Sequence, residues 1–105
     1  MSVEVSKGDL ILEYDQGTSV LTSSLGRPSA EKSEIVRDVA KEVERLELPG
    51  GRVIKICGAI SAHAAMTVAH ALGRRYSAVA LYDPATGKHV VTMSYNPEIP
   101  IGTTL

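Results

Sequence analysis

Apolar positions along this chain switch from a two-residue period to a helical one, and then the alternation repeats. Residues 3–5 alternate weakly, as a short edge strand would. Residues 9–14 (DLILEY) alternate better, with Leu10, Leu12 and Tyr14 on one face. Asp15-Gln16-Gly17 is turn chemistry, and residues 18–23 can return as the second strand of a hairpin. Residues 24–29, with Gly26 and Pro28, read as a loop. A helix is predicted to begin near Ala30, capped by Ser29 or Ser33. Its apolar stripe is Ile35, Val36, Val39, Val43 and Leu46, and Glu31, Lys32, Arg37, Asp38, Lys41, Glu42 and Glu44 mostly fill the opposite face. Pro49-Gly50-Gly51 stops it.

The second half is the denser part. Residues 52–57 form a strand with Ile54 and Ile56 on one face and Val53 and Cys57 on the other; Lys55 interrupts that second face, as a residue near an edge would. Gly58 breaks the strand. Ser61 can cap a helix from about Ala62 to Arg74 or Arg75. Residues 76–82 (YSAVALY) are nearly all apolar, as in a strand covered on both faces. Asp83 to Lys88 is a turn, and residues 89–94 (HVVTMS) form a strand antiparallel to the one before. Pro97 and Pro100 make the tail extended or irregular. The sum is an α/β single domain over residues 1–105, with a mixed sheet of about five strands, two main helices and a right-handed βαβ crossover.

Composition narrows what such a domain can do. With no Trp or Phe, the core rests on Val, Ile, Leu and Ala, and a chain of 105 residues with a thin core favours self-association. Eleven basic residues against twelve acidic ones argue against a broad footprint on DNA or long RNA, but leave room for a small anionic ligand. The single Cys57 excludes an intrachain disulfide and a cysteine-rich metal site. No apolar stretch approaches a membrane span, and the first residues do not read as a signal peptide, so a soluble cytoplasmic protein is expected.

Two places can carry chemistry. The first is the turn Gly58-Ala59-Ile60-Ser61. Unpaired N–H groups and the helix dipole at Ser61, with no side chain at Gly58, would let a phosphate approach; a plain strand-to-helix connection reads the same way. The helix that follows carries His63, Thr67, His70 and Arg74 at steps of four, three and four, on one face that could meet solvent, a cleft or a second copy. Its two histidines stand roughly 10 Å apart, too far to chelate one ion together. The second place is Asp83, which could bind a hard cation, act as a base, or simply open its turn. Ser94 and Tyr95 end the last strand and could reach a base or ribose, or close the sheet edge.

The run of Gly58, Ser61, Ala69, His70, residues 78–84 (AVALYDP), Val90, Val91, Ser94 and Gly102 resembles the small CRISPR-associated Csx-three family, also called the type III CRISPR ring nuclease Crn-three. The resemblance covers residues 53–105. It implies a CARF-like fold, a minimal relative of the CRISPR-associated Rossmann fold. It implies homodimers that bind and cleave cyclic tetra-adenylate or short oligoadenylate RNA, with Mn2+ dependence and stacking of two dimers on the ligand, so switching off type III CRISPR immunity. By the same resemblance Asp83 is the metal-associated residue and His70 the first helix histidine. Arg74 stands where the family has a second, cleavage-associated histidine, and Ser94-Tyr95 where it has Ser-His. The expected catalytic set is Asp83, His70 and Arg74; the expected ligand contacts are Gly58, Ala59, Ser61, His63, Arg74, Ser94 and Tyr95. An arginine stays protonated and cannot act as a base, but it can neutralise a phosphate. That leaves a non-cleaving binder, a sponge or sensor, as the alternative.

Overall fold

The alternation predicted over residues 9–23 becomes part of a sheet that runs through the whole chain. The computed structural model describes residues 2–7, 10–15, 18–25, 32–58 and 60–105. Among these, six strands lie side by side in chain order: β1 (Ser2–Lys7), β2 (Leu10–Asp15), β3 (Val20–Leu25), β4 (Gly51–Gly58), β5 (Tyr76–Asp83) and β6 (Lys88–Ser94). The weak alternation at residues 3–5 is thus a full strand, paired with β2 from Ser2↔Asp15 to Lys7↔Leu10, and the sheet holds six strands rather than about five. β1, β2 and β3 are antiparallel, β3–β4 and β4–β5 parallel, and β5–β6 antiparallel.

Parallel neighbours need a crossover, and the two helices supply them. α1 (Lys32–Arg45) joins β3 to β4, and α2 (Ala62–Leu72) joins β4 to β5. The predicted start at Ala30 and the candidate cap Ser29 lie outside the described residues, and the other candidate cap, Ser33, lies within α1. The two helices pack on each other and share one core with the sheet. Ile35, Val39, Val43 and Leu46 are buried there, as their spacing predicts, against Leu21, Ile54, Ile56, Val79, Val68 and Leu72. Glu42 departs from the expected polar face: it is 2% exposed, and Arg45 Nη1 reaches its two carboxylate oxygens at 3.0 and 2.8 Å. Because the strand order never reverses, the sheet has no switch point of the kind at which doubly wound sheets form their binding crevice.

The opposite face is covered by the tail. Ala78, Ala80, Val91 and Ile99 form a second buried cluster with Val53 packed on it. Two alanines leave room for Ile99 to settle on β5. Thus Ala78, Val79 and Ala80 are buried in succession, as an apolar strand covered on both faces requires. Beyond Ile99, His89 and Leu105 exchange backbone hydrogen bonds of 2.9 and 2.8 Å, and Val91 accepts from Gly102 N–H at 2.8 Å. This pairing occupies backbone groups of β6 that would otherwise be open to another chain. Lys55 is not near an edge: β4 lies inside the sheet, and Lys55 shares its register with Ala80 and Val91 on the face away from the helices. No helix among the described residues is long and apolar enough to cross a membrane.

Candidate functional site

β4 and β5 are parallel, so Gly58 and Asp83 end up at the same edge of the sheet. Between those ends lies a cleft of about 470 Å³ lined by Cys57, Gly58, Ile60, Leu81, Tyr82 and Pro84. Gly58 has φ +96°, in the left-handed region that glycine adopts freely. Ser61 is the N-cap of α2, as expected: its backbone is extended (φ −75°, ψ 161°), and its hydroxyl accepts from Ala64 N–H at 3.2 Å. Ala59 lies outside the described residues.

Asp83 is tied into its own turn. Oδ1 accepts from Ala85 N–H at 3.0 Å, Oδ2 accepts from the Thr86 hydroxyl at 3.0 Å, and the Asp83 carbonyl accepts from Gly87 N–H at 2.9 Å. A carboxylate has about four lone-pair sites, so two turn bonds leave acceptor capacity over. Among the described residues, however, no three His, Cys, Asp or Glu side chains converge as a cation site requires.

The remaining expected residues spread over the molecule. α2 runs back from the Ser61 end for 11 residues, about 16 Å. His63 is exposed near its start; His70 and Arg74 are exposed near its end, with Arg74 Nη2 3.3 Å from His70 Nε2. Thr67 bonds the carbonyl of His63 at 3.0 Å. This polar face meets solvent, and none of the four lines the cleft. Ser94 pairs with Ala78 and Tyr95 N–H bonds Ser77 at 2.8 Å, so both sit about 17 Å along β5 from Asp83. The Ser94 hydroxyl is occupied too: it donates to Ile99 O at 2.6 Å and accepts from Asn96 N–H at 3.1 Å, anchoring the tail. Tyr95 is exposed. The structure thus brings Gly58, Ser61 and Asp83 to one end of the sheet and Arg74, Ser94 and Tyr95 to the other.

The chain matches no protein-family model, no curated protein and no solved structure. The family likeness rests on the motif residues alone.

Three residues near the cleft escaped the sequence reading. Tyr82 lines it, and its ring stands edge-on to His89, centroids 5.3 Å apart at 61°. Cys57 lines it with its Sγ 3.3 Å from the Thr22 hydroxyl. His89 Nε2 is buried with no hydrogen-bond partner, and burial, then the charge of Lys55, push its pKa below the ordinary value. The signal available was a polar residue inside an apolar strand, which Lys55 and His89 both show, but sequence pattern cannot say that two strands two places apart put them on one face of the sheet.

Proposed function

We propose that the protein binds cyclic tetra-adenylate in the cytoplasm as a homodimer and opens the ring, acting as a ring nuclease of type III CRISPR defence. The observation that carries this reading is the cleft between Gly58 and Tyr82 at the carboxyl ends of two parallel strands, beside the capped N-terminus of α2. Its volume falls within the roughly 300–1,000 Å³ of small-molecule sites, enough for one nucleotide unit rather than a whole ring. Two copies about a two-fold axis would offer two such clefts to a ring of matching symmetry. Tyr82 supplies an aromatic face for a base, and base stacking on such a face contributes about 1–3 kcal/mol. A two-fold axis crossing α2 would also lay the Arg74 end of one copy beside the Ser61 end of the other, which supports a shared site. An apolar groove along that helix, lined by Ala62, Ala65, Met66 and Ala69, with Met66 76% exposed, supports the pairing.

The chemistry asked of these residues is modest. The ribose 2′-oxygen bonds to the adjacent phosphorus as the bond to the 5′-oxygen breaks, leaving a 2′,3′-cyclic phosphate and a 5′-hydroxyl. The site has to align the 2′-oxygen and stabilise the charge on the phosphoryl oxygens. Arg74 of a second copy could stabilise that charge, and His70 could move the proton.

A second reading is favoured by the turn bonds on both oxygens of Asp83 and the contact of His70 with Arg74: the protein holds the messenger without cutting it. Incubation with labelled cyclic tetra-adenylate, with and without Mn2+, separates the two. Linear fragments support cleavage. A saturable shift with intact ligand supports the holding protein. Neither product nor shift removes both.

A further inference from the structure

Lys55 is half-buried in the interior strand β4, on the face away from the helices, and no carboxylate among the described residues pairs with it. A lysine of intermediate burial can lay its stem along apolar surface and keep its ammonium group accessible to an incoming anion. On the same face His89 buries Nε2 without a partner. Burial first, and the charge of Lys55 second, push the His89 pKa below its ordinary value. On this face Lys55 offers an unpaired cation to a ligand that brings negative charge.

A cleft adjoins Lys55. It holds about 370 Å³ and is lined by Thr18, Gly51, Arg52, Lys55, Tyr76 and Leu105 among others. It opens toward the amino-terminal ends of β4 and β5, away from the Gly58 cleft. Arg52 brings a second cation. Among the described residues it pairs with Glu98 at 3.3 Å, between side chains 65% and 74% exposed, and such a pair is worth little and exchanges readily. Gly51 adds no side chain to the wall, Leu105 gives apolar surface beside the buried Tyr76, and the Thr18 hydroxyl at the rim already donates to Asp15 Oδ2 at 3.0 Å. Leu105 joins the cleft to His89 through their paired backbones.

We infer that this cleft binds a small phosphomonoester, its phosphate between Lys55 and Arg52 and its organic part against Tyr76 and Leu105. Two cations match a dianionic phosphate better than a single carboxylate, and the guanidinium fork suits phosphate oxygens. The inference is independent of the proposed action on cyclic tetra-adenylate, because the two clefts lie at opposite ends of the parallel strands.

The test is amide NMR of the full chain titrated with inorganic phosphate and with adenosine 5′-monophosphate, at constant ionic strength maintained with chloride. Saturable shifts confined to residues 18–19, 51–55 and 103–105 are expected, tighter for the monophosphate ester. Lys55→Met should weaken them by about tenfold or more, the scale of one charge-assisted contact, whereas Lys55→Arg should keep them. The retained dispersion of the spectrum shows that each variant folds. Shifts that never saturate, or that persist unchanged in Lys55→Met, overturn the assignment. Saturable shifts at Gly58, Ser61 and Tyr82 instead would move phosphate binding to the other cleft and overturn it equally.

Discussion

Gly58 rests directly on the backbone of Ser23: a Cβ built at residue 58 would overlap the Ser23 carbonyl oxygen and stand 3.0 Å from its nitrogen. The two residues are register partners at the end of the parallel β3–β4 ladder. The glycine that the sequence offered as a phosphate approach therefore has a structural reason of its own, and the cleft inherits its shape from the sheet. Gly58→Ala adds both a steric overlap and a positive φ of +96° to an L side chain. It should destabilise the protein by about 2 kcal/mol or more, by the usual cost of strained left-handed positions. Urea unfolding measures this, and an unchanged midpoint would mean that β3 and β4 part at that point.

Asp83 serves its turn whatever else it does. Asp83→Asn keeps an oxygen to accept from Ala85 N–H, while removing the charge; Asp83→Ala removes both turn bonds. The alanine variant should lose about 1 kcal/mol more than the asparagine variant, the scale of one or two exposed side-chain hydrogen bonds. If Asp83 also takes part in ring opening, cleavage should fall in Asp83→Asn although its stability is nearly kept. Equal cleavage rates in wild type and Asp83→Asn would restrict Asp83 to the turn.

Glu42 and Arg45 give a third expectation. The carboxylate is buried and its guanidinium partner is mostly exposed, with side-chain exposures of 3% and 61%. Arg45→Ala leaves the carboxylate buried beside empty space and should cost about 1–2 kcal/mol, below the figure for a fully buried pair because water reaches the arginine side. Replacing both, as Glu42→Leu with Arg45→Ala, should recover most of that loss. The four corners of this double-mutant cycle, read by thermal or urea unfolding, decide it; additive losses would show that the pair is not coupled.

How much of this was legible follows the physics of each element. Ile35, Val39 and Val43 announce their burial by spacing, and Ser61 announces its cap, because both are local. Ala78 to Ala80 announce a strand with two covered faces, but not that Ile99 of the tail covers one of them. Residues 3–5 are too short a pattern to declare a strand that only pairing with β2 completes. The candidate site was half legible. Gly58 and Asp83 meet because β4 and β5 are parallel, which the intervening helix implies. Ser94 and Tyr95 do not join them, because β6 runs antiparallel and returns to the opposite end. Lys55 and His89 lie in different strands with β5 between them, and their sharing one face depends on the register of the sheet, which no local pattern encodes.

The last expectation concerns pH and rests on the burial of His89. In the folded protein His89 has a pKa below its ordinary 6.5, first because burial disfavours the charged ring and second because Lys55 repels it. The unfolded chain therefore takes up its proton at a higher pH than the folded one does. Between these two values the unfolded state binds more protons, so stability rises with pH there. The contribution is present in full above about 6.5, is lost progressively as pH falls below that value, and is gone once pH passes below the folded pKa. His89→Phe removes the titration and keeps an aromatic ring against Tyr82. Urea midpoints of wild type and His89→Phe from pH 8 to pH 5 should diverge below about 6.5, with wild type losing ground to the variant as the medium becomes more acidic. Lys55→Met should narrow the window, because it removes the repulsion and leaves only the burial. Parallel curves for wild type and His89→Phe across the whole range would show that the His89 ring reaches water in solution, and would separate it from Lys55.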